Sequence, residues 1–277
     1  MVDVHEFPSQ LTLGLSGLLL AVLVALPTWA VSVRMKDASL ADRVWSVFIA
    51  APALLYGALA GADARLLVML AIAVLWALRL GLYITIRNWG HGEDRRYQAM
   101  RARNQPGFAL KSLWLVFLLQ AVLGWVVSAP LLAAAHEDRS AWGLLDSLGA
   151  VVAASGLLVE AIADAQMARF RRQASRQGRV MDTGLWRYSR HPNYFGECCL
   201  WWGLGMMAVS AGEWGAAWSL ASPLLMTFLL LRVSGVTLLE KDMEERHPAY
   251  RDYIARTSVF IPWPPKAIGP SPGRGQP

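Results

Sequence analysis

Residues 183–212 read TGLWRYSRHPNYFGECCLWWGLGMMAVSAG, in which a polar, cationic segment leads directly into a hydrophobic one. The polar part ends at Glu197, and an apolar run continues from Cys198 to Val209. Pro192 suits the first turn of a helix, whose free N–H groups favour an anion at that end. The stretch therefore predicts a membrane-embedded helix that begins near Pro192, beside a site for an anionic ligand.

The basic residues of this segment have a second explanation. Lys and Arg side chains commonly flank a spanning helix on its cytoplasmic side and anchor it there. An anchor accounts for Arg187 and Arg190 about as well as a ligand site does. It leaves Asn193, Tyr194 and Glu197 without a role, so both interpretations stay open.

The rest of the chain is also apolar. Hydrophobic residues make up 55% of the 277, with thirteen tryptophans, which is too apolar for a soluble domain of this size. Helices of about twenty apolar residues can cross a hydrocarbon core because they satisfy their backbone hydrogen bonds internally. The predicted fold is all-α, a polytopic bundle of transmembrane helices that forms one domain over 1–266, with a disordered tail over 267–277. Seven runs are long enough, at about 11–33, 44–61, 66–86, 112–135, 142–165, 194–212 and 215–236.

The charge of the connecting segments predicts the orientation. Segments after the first, third, fifth and seventh runs are basic, whereas the others are short and neutral or acidic. Because cytoplasmic loops carry the excess of Lys and Arg, we expect the N terminus outside and the C terminus in the cytoplasm. The net charge of +6 mostly reflects this asymmetry, so no nucleic-acid partner is expected.

Metal binding is not indicated by the sequence. Cys198 and Cys199 are the two cysteines of the chain, and adjacent thiols at membrane depth suit neither a structural disulfide nor a spaced metal motif. No paired histidine and carboxylate spacing accompanies them. We therefore expect a protein without a metal centre.

Polar residues within the apolar runs mark candidate functional positions, because each costs a few kcal/mol in a bilayer unless it is paired or hydrated. Asp42 lies at the cytoplasmic start of the second run. Arg79 and Tyr83 lie four residues apart in the third run and so share one helical face. Glu160 and Asp164 are likewise one turn apart in the fifth run. Carboxylates at that depth need an arginine or a hydroxyl as a partner.

The loop over residues 88–97 mixes both charge signs with two glycines. It is either a solvated turn or part of a pocket shared with residues 183–197, because both segments are predicted on the same side of the membrane. Segments rich in arginine, tyrosine and carboxylates that converge on one face suit a large ligand with phosphates, ribose hydroxyls and an aromatic ring.

The run from Asp182 to Gly203, with the later stretches ERHPAYRDY over 245–253 and FIPWPPK over 260–266, carries a family resemblance. It resembles the bacterial membrane proteins of the DUF1295 type, which are related to steroid 5-alpha-reductase and the sterol C14 reductases. That resemblance implies a membrane-bound oxidoreductase with a cytoplasm-facing NADPH site, from which a hydride is delivered to a carbon–carbon double bond of a lipid.

The resemblance also implies roles for individual residues. Several residues lie at positions that match the family's cofactor contacts. They include the asparagine and glutamate of an Asn-x-x-Gly-Glu element, and a carboxylate and an arginine at the end of the fifth span. They also include one arginine in the third span and one in the last span. The implied cofactor-binding residues are Arg79, Asp164, Arg171, Arg187, Tyr188, Arg190, His191, Asn193, Tyr194, Glu197 and Arg232.

The chain departs from the steroid reductases at the catalytic acid. Those enzymes hold and protonate the enone oxygen with a carboxylate in the second span and a tyrosine in the third. Here Trp76 stands at the tyrosine's position, and residues 44–61 contain no glutamate. Tyr83 and Asp42 are the remaining candidate catalytic residues, and the substrate is expected to be a steroid-like or another unsaturated lipid from the membrane.

Two alternatives come from other classes. Isoprenylcysteine and phospholipid methyltransferases share an Arg-His-Pro-x-Tyr-x-Gly pattern and a later glutamate, which Glu240 to Glu245 would supply, and they bind S-adenosylmethionine. A transporter or membrane scaffold is the non-enzymatic alternative, but no charged track runs through all the predicted spans. The oligomeric state is left open by the sequence.

The predicted topology can be tested by labelling single cysteines in a background that lacks Cys198 and Cys199. Cysteines at Ala64, His136 and Gly212 should react with an impermeant thiol reagent added to sealed cells. Cysteines at Ala99 and Ser175 should react only after the membrane is opened. Labelling of the Ala99 position in sealed cells would contradict the predicted orientation.

Overall fold

The computed structural model describes residues 9–136, 141–173, 179–233 and 249–266, and regular structure in these residues is helical. The tail predicted to be disordered, 267–277, lies outside them. The α-helices, numbered α1 to α10 in chain order, are Gln10–Met35, Leu40–Ala60, Ala64–Asn88, Arg95–Arg103, Phe108–Val127, Ala129–His136, Leu144–Arg171, Pro192–Gly212, Ala221–Phe228 and Ala249–Arg256.

Short stretches of other helical geometry join these elements. A 3-10 turn, Gly184–Arg187, precedes α8, and a 3-10 segment, Glu213–Leu220, leads into α9. π-Helical turns lie within α5, at Leu113–Leu118, and after α9, at Leu229–Val233. A π-turn widens the helix locally and is often found near functional positions.

Six helices in the described part of the chain are long and apolar enough to cross a membrane. They are α1, α2, α3, α5, α7 and the stretch Trp214–Val233 that contains α9. The prediction of an all-α, multi-pass membrane protein is confirmed to this extent. The predicted run 194–212 forms α8 but is not among the six, because Glu197 and several glycines and tryptophans lower its hydropathy. The count of seven spans and the orientation stay predictions.

The helix ends follow local signals in the sequence. The Asp63 carboxylate accepts a hydrogen bond of 2.8 Å from the Leu66 N–H and so caps the start of α3. Gly61 ends α2 with a positive φ of 73°. Ser128, which is buried, separates α5 from α6 and so divides the predicted run 112–135 into two helices.

The chain packs as two compact units. The first unit comprises residues 1–151 and 203–223, and the second comprises residues 152–202 and 224–277. The prediction of a single membrane-embedded domain over 1–266 is not tested by this division. α7 and α8 each contribute residues to both units, so the units are not separate in sequence.

Close contacts in the first unit occur where a glycine meets a large side chain. A Cβ atom added to Gly17 of α1 would lie 2.2 Å from the Tyr56 hydroxyl oxygen of α2. One added to Gly124 of α5 would lie 2.7 Å from the Cβ atom of Phe48. α2 therefore packs against α1 and α5 at distances that only glycine permits.

A buried ion pair joins the starts of α3 and α7 in the first unit. Arg65 Nε donates to Asp146 Oδ1 at 2.6 Å, and Arg65 Nη2 donates to Asp146 Oδ2 at 3.1 Å. Asp146 also accepts hydrogen bonds from the Ser210 hydroxyl at 2.7 Å and from the Gly143 N–H at 2.8 Å. Asp146 is fully buried and Arg65 nearly so, so the charges are compensated by each other and by this network.

We expect Asp146→Ala to be strongly destabilising, because it leaves the buried Arg65 charge without its carboxylate. Breaking a buried pair by removing one partner typically costs about 3–5 kcal/mol, whereas replacing both partners by apolar groups is often neutral. The double substitution Arg65→Met with Asp146→Leu should therefore recover much of the loss.

The measurement is the melting temperature of detergent-solubilised protein. Asp182→Asn is the control, because the Asp182–Arg256 pair is more than a third exposed and such pairs contribute about 0–1 kcal/mol. Equal melting temperatures for Asp146→Ala and Asp182→Asn would contradict a stabilising role for the buried pair.

Candidate functional site

The second unit is built on a direct backbone contact between α7 and α8. A Cβ atom added to Gly156 would lie 2.4 Å from the carbonyl oxygen of Gly196, and one added to Gly196 would lie 2.7 Å from the Glu160 nitrogen. Neither distance is possible for any residue with a side chain unless the helices move apart. The two glycines therefore set the separation of α7 and α8.

This contact brings polar residues of the two helices together. Asn193 Nδ2 donates a hydrogen bond of 3.2 Å to Asp164 Oδ1. Asp164, Glu160 and Glu197 are all buried. The predicted cofactor residues Asp164 and Asn193 are therefore in direct contact, and Glu197 lies one helical turn after Asn193.

The carboxamide oxygen of Asn193 is also buried, and it accepts no hydrogen bond from the described residues. The amide orientation follows from Asp164, because the carboxylate requires the NH2 side of the amide. A buried acceptor left unsatisfied costs about 1–3 kcal/mol. Asn193 thus offers an acceptor to a ligand group that carries an N–H or O–H.

The polar segment before α8 is attached to the last turns of α7. Trp186 Nε1 donates to the Ala163 carbonyl at 3.0 Å, and the Leu185 N–H donates to Gln166 Oε1 at 3.0 Å. Gly184 has a φ of 61°, and a Cβ atom there would lie 2.5 Å from Gln166 Nε2. Both the positive φ and the close side chain require glycine at this turn.

Residues 257–266, which we call the C-terminal strap, lie alongside the same segment. Ser189 and Ser258 form an isolated parallel bridge, in which the Arg190 N–H donates to the Ser258 carbonyl at 2.8 Å. The Ser189 hydroxyl donates to the Phe260 carbonyl at 2.7 Å. Residues 260–266, which carry part of the resemblance noted in the sequence, thus support the segment before α8.

Arg190 makes contacts that the sequence did not predict. Its Nη1 donates to the carbonyl oxygens of Ile254 at 3.2 Å and Thr257 at 3.4 Å, at the C-terminal end of α10. A cation at that end satisfies free carbonyls and complements the helix dipole. Arg190 therefore attaches α10 to the segment before α8, and its predicted contact with a phosphate stays a prediction.

The remaining predicted residues of the second unit differ in exposure. His191 is buried, and its ring stacks on that of Tyr194 with the centroids 5.5 Å apart. The side chains of four predicted residues are exposed: Arg171, Arg187, Tyr188 and Arg232. The arginines among them can reach a phosphate in solvent, whereas the buried histidine serves the packing of α8.

A cavity of about 270 Å³ lies at the end of α7 in the same unit. Its lining combines a cation, an aromatic ring and amide groups. The lining residues are Gln166, Arg169, Phe170, Gln173, Met181, Thr183 and Gly184. The sequence indicated a basic end for this helix but not this cavity, because Met181 and Thr183 reach it through the fold of the segment before α8.

The predicted residues Arg79 and Tyr83 lie on α3, which belongs to the first unit, and both are half-buried. The guanidinium carbon of Arg87 lies 5.7 Å from the centre of the Tyr83 ring, a cation–π distance. Trp76, which stands where the steroid reductases have tyrosine, is fully buried. The role of Tyr83 as an acid stays a prediction.

Asp42, the other candidate acid, is held by the helix α4. Tyr97 Oη donates to Asp42 Oδ1 at 2.5 Å, and Arg96 Nη2 contacts Asp42 Oδ2 at 2.8 Å. Burial, and after it the Asp42 carboxylate, raise the pKa of the Tyr97 phenol far above its usual value. Tyr97 therefore stays protonated and donates its hydroxyl hydrogen to Asp42. The sequence did not predict this partner for Asp42.

The loop over 88–97 is held in place by ion pairs rather than being only a solvated turn. Glu93 accepts two hydrogen bonds from Arg101, at 2.7 and 2.9 Å, and one from the Ala38 N–H at 2.8 Å. Burial alone would raise the pKa of the Glu93 carboxyl, but these donors outweigh it and the pKa is lowered. Glu93 is therefore a structural anion in the first unit.

The fold and these buried polar contacts define an all-α, multi-pass membrane protein. The chain belongs to the family described as "Protein of unknown function (DUF1295)", which its residues 28–257 match. The chain is also similar to the uncharacterized protein C594.04c of Schizosaccharomyces pombe, at 27% identity over 278 residues that cover 89% of this chain and 78% of the yeast protein. No solved structure matches the chain.

These similarities confirm the predicted DUF1295 type. Neither the description of the family nor the name of the yeast protein carries an activity, so the relation to steroid 5-alpha-reductase stays a prediction. The yeast relative also shows that similarity of this kind does not indicate a bacterial membrane.

Gly156→Ala should destabilise the protein although alanine is the better helix former. The added methyl group would meet the Gly196 carbonyl at 2.4 Å, and overpacking of this kind costs about 1–3 kcal/mol. Gly14→Ala is the matched control, since its nearest contact is the flexible Leu132 side chain at 3.3 Å. The control should be neutral or gain up to about 1 kcal/mol from helix propensity. Equal melting temperatures for the two variants would refute the close contact of α7 and α8.

Proposed function

We propose that this protein is a membrane-bound, NADPH-dependent oxidoreductase that transfers a hydride to a carbon–carbon double bond of a steroid-like or other unsaturated lipid. The observation that carries the proposal is the hydrogen bond between Asp164 and Asn193, in which the buried carboxamide oxygen of Asn193 keeps an acceptor for a ligand. The resemblance of residues 182–203 to the reductases assigns these same two residues to the cofactor.

The chemistry of the second unit suits a dinucleotide. Ribose hydroxyls and a carboxamide carry donors that need acceptors, and the buried carboxamide oxygen of Asn193 is such an acceptor. Phosphates need cations at their edge, and Arg171 and Arg187 are exposed at the same end of α7 and α8. The cavity with Arg169 and Phe170 would take part of the adenosine side, where an arginine can accept the 2′-phosphate that distinguishes NADPH.

When bound, the cofactor would supply the hydride, and the chain's own residues would orient it and exclude water. Asp164 and Asn193 would fix the cofactor at the ends of α7 and α8, because their hydrogen bond joins the two helices. An acid must also stabilise the charge that develops on the substrate. Tyr83 is our candidate for this acid. Both oxygens of Asp42 contact α4, so Asp42 would first have to break one of these contacts to reach a substrate.

The basic connecting segments support a cytoplasmic location for this site, with the N terminus outside and seven spans. In that arrangement the exposed arginines before α8 face the compartment that holds reduced cofactor. The lipid would enter sideways from the bilayer. A bacterial inner membrane is the location that we propose from the resemblance.

A methyltransferase that uses S-adenosylmethionine is the second candidate. Its supporting observation is the spacing Arg190-His191-Pro192-x-Tyr194-x-Gly196, which isoprenylcysteine methyltransferases share. The glutamates that would complete that site, Glu240 to Glu245, lie outside the described residues. The contact of Asp164 with Asn193 favours the reductase, because its match to the family includes both residues.

The two candidates differ in the ligand that stabilises the purified protein. NADPH should raise the melting temperature of the detergent-solubilised chain, because a ligand at about a hundred times its dissociation constant adds about 2.7 kcal/mol to the folded state. S-adenosylmethionine should leave it unchanged. Stabilisation by S-adenosylmethionine alone would transfer the proposal to the methyltransferase, and stabilisation by neither would contradict both.

Asn193→Ala tests the site itself. Loss of the amide removes a hydrogen bond and leaves a cofactor donor unsatisfied, which should weaken NADPH binding by about ten- to a hundredfold. Asn104→Ala is the control, since the side-chain amide of Asn104 donates to the Met100 carbonyl at the end of its own helix. Arg190→Ala is a poorer test because it also detaches α10. Equal NADPH affinity in Asn193→Ala and the parent would show that the cofactor does not bind at Asn193.

A further inference from the structure

The C-terminal strap presents an apolar face away from the rest of the second unit. Val259, Ile261 and Trp263 are 41%, 61% and 68% exposed. The residues between them, Phe260 and Pro262, are partly buried. Such alternation is expected for an extended segment that packs on one side only. Here the outward side carries no polar side chain at these three positions.

The inward side of the strap is firmly attached. The Phe260 ring meets the Phe195 ring of α8 edge to face, with the centroids 5.8 Å apart. The Trp263 N–H donates to the Tyr188 carbonyl at 2.9 Å. Because the Phe260 ring, the Phe260 carbonyl and the backbone N–H of Trp263 all make contacts, the strap cannot turn its apolar side chains inward without losing them.

The neighbouring helix α10 shows what a water-facing surface of this unit looks like. Its exposed positions include Arg251 and Asp252, while Tyr253 is buried and donates to the Trp186 carbonyl at 2.5 Å. The exposed faces of α10 and of the strap, joined in sequence, thus differ sharply in polarity. A difference of this kind indicates two different surroundings.

The contacts of the strap also show where it lies along the axis of α7, which is one of the six candidate spans. The strap pairs with residues 188–190, and Trp186 just before them donates to the Ala163 carbonyl of α7. The apolar part of α7 ends a few residues later, where Arg169 and Arg171 are exposed. The strap therefore lies at the level where this span passes from hydrocarbon to water.

We propose that the outward face of the C-terminal strap is seated in the interfacial layer of the bilayer, with the lipid itself as its partner. Tryptophan prefers this layer because its ring is apolar and its N–H is polar, and short apolar side chains beside it add affinity. Lys266, which follows Ile261 in the same extended segment, is exposed and can meet anionic headgroups at the same depth.

This inference does not depend on the proposed cofactor. It would hold for any activity of the second unit, because it rests only on the exposure, polarity and attachment of the strap. One consequence is that the bilayer helps to hold the backbone of Ser189 and Arg190, which the strap contacts directly. The segment before α8 should then be less ordered in detergent than in lipid.

The proposal can be tested with nitroxide labels on single cysteines of the full chain, in a background with Cys198→Ser and Cys199→Ser. Ile261→Cys and Val259→Cys report on the outward face of the strap. Leu158→Cys, on the exposed side of α7, is the lipid reference, and Arg251→Cys is the water reference. The proteins are placed in mixed phosphatidylcholine and phosphatidylglycerol vesicles, and collisions with oxygen and with a water-soluble nickel chelate are measured by electron paramagnetic resonance.

We expect the ratio of oxygen to nickel collisions at both strap positions to exceed that at Arg251→Cys several-fold and to lie between the two references. Ratios equal to that of Arg251→Cys would place the strap in water and overturn the proposal. Immobile labels that neither reagent reaches would show that a protein surface, such as a second copy of the chain, covers this face, and would overturn it as well. Each variant is accepted only if its melting temperature matches the parent background.

Discussion

The contact between Gly156 and Gly196 is the constraint on which the second unit depends. Two helix backbones meet there without a side chain between them, so α7 and α8 run closer together than most helix pairs. At this separation short side chains such as those of Asp164 and Asn193 can reach each other. With larger residues at the two glycine positions, the same polar groups would face each other across a gap. The geometry of the candidate site therefore follows from residues that have no chemistry of their own.

The two units differ in how the hydrogen-bonding capacity of their buried polar groups is satisfied. In the first unit, Arg65 and Asp146 satisfy each other, and the Asp146 carboxylate also accepts a hydrogen bond from the Ser210 hydroxyl. In the second unit, Asn193 gives its donor to Asp164 and keeps its buried acceptor. The first arrangement is that of a structural tie. The second is what the proposed site requires, since the cost of an unsatisfied buried acceptor would be relieved when a donor binds.

The two arginines of the segment before α8 differ in their contacts. Arg190 donates to carbonyls at the end of α10 and thus has a structural contact that neither an anchor nor a phosphate site requires. Arg187 is exposed and remains available to an anion. A third function of the segment, attachment of the C-terminal strap through Ser189, was not foreseen. One short polar stretch therefore combines an exposed arginine, support of a helix end and attachment of a distant part of the chain.

The sequence by itself determined the class of the protein and the positions of its helices, because apolar runs of sufficient length have few other solutions in a bilayer. α1, α2 and α3 begin and end within a few residues of the predicted runs, and α7 extends from its predicted run to Arg171. The polar stretch does lead into α8 near Pro192. The break at Ser128 and the pairing of Arg65 with Asp146 could not be predicted, because each depends on which helices pack together. The same holds for Tyr97 beside Asp42 and for the strap beside Ser189, which join residues far apart in the chain. Hydropathy is a local property of the chain, whereas a buried hydrogen bond needs a partner, and only the tertiary structure decided which partner each polar group met.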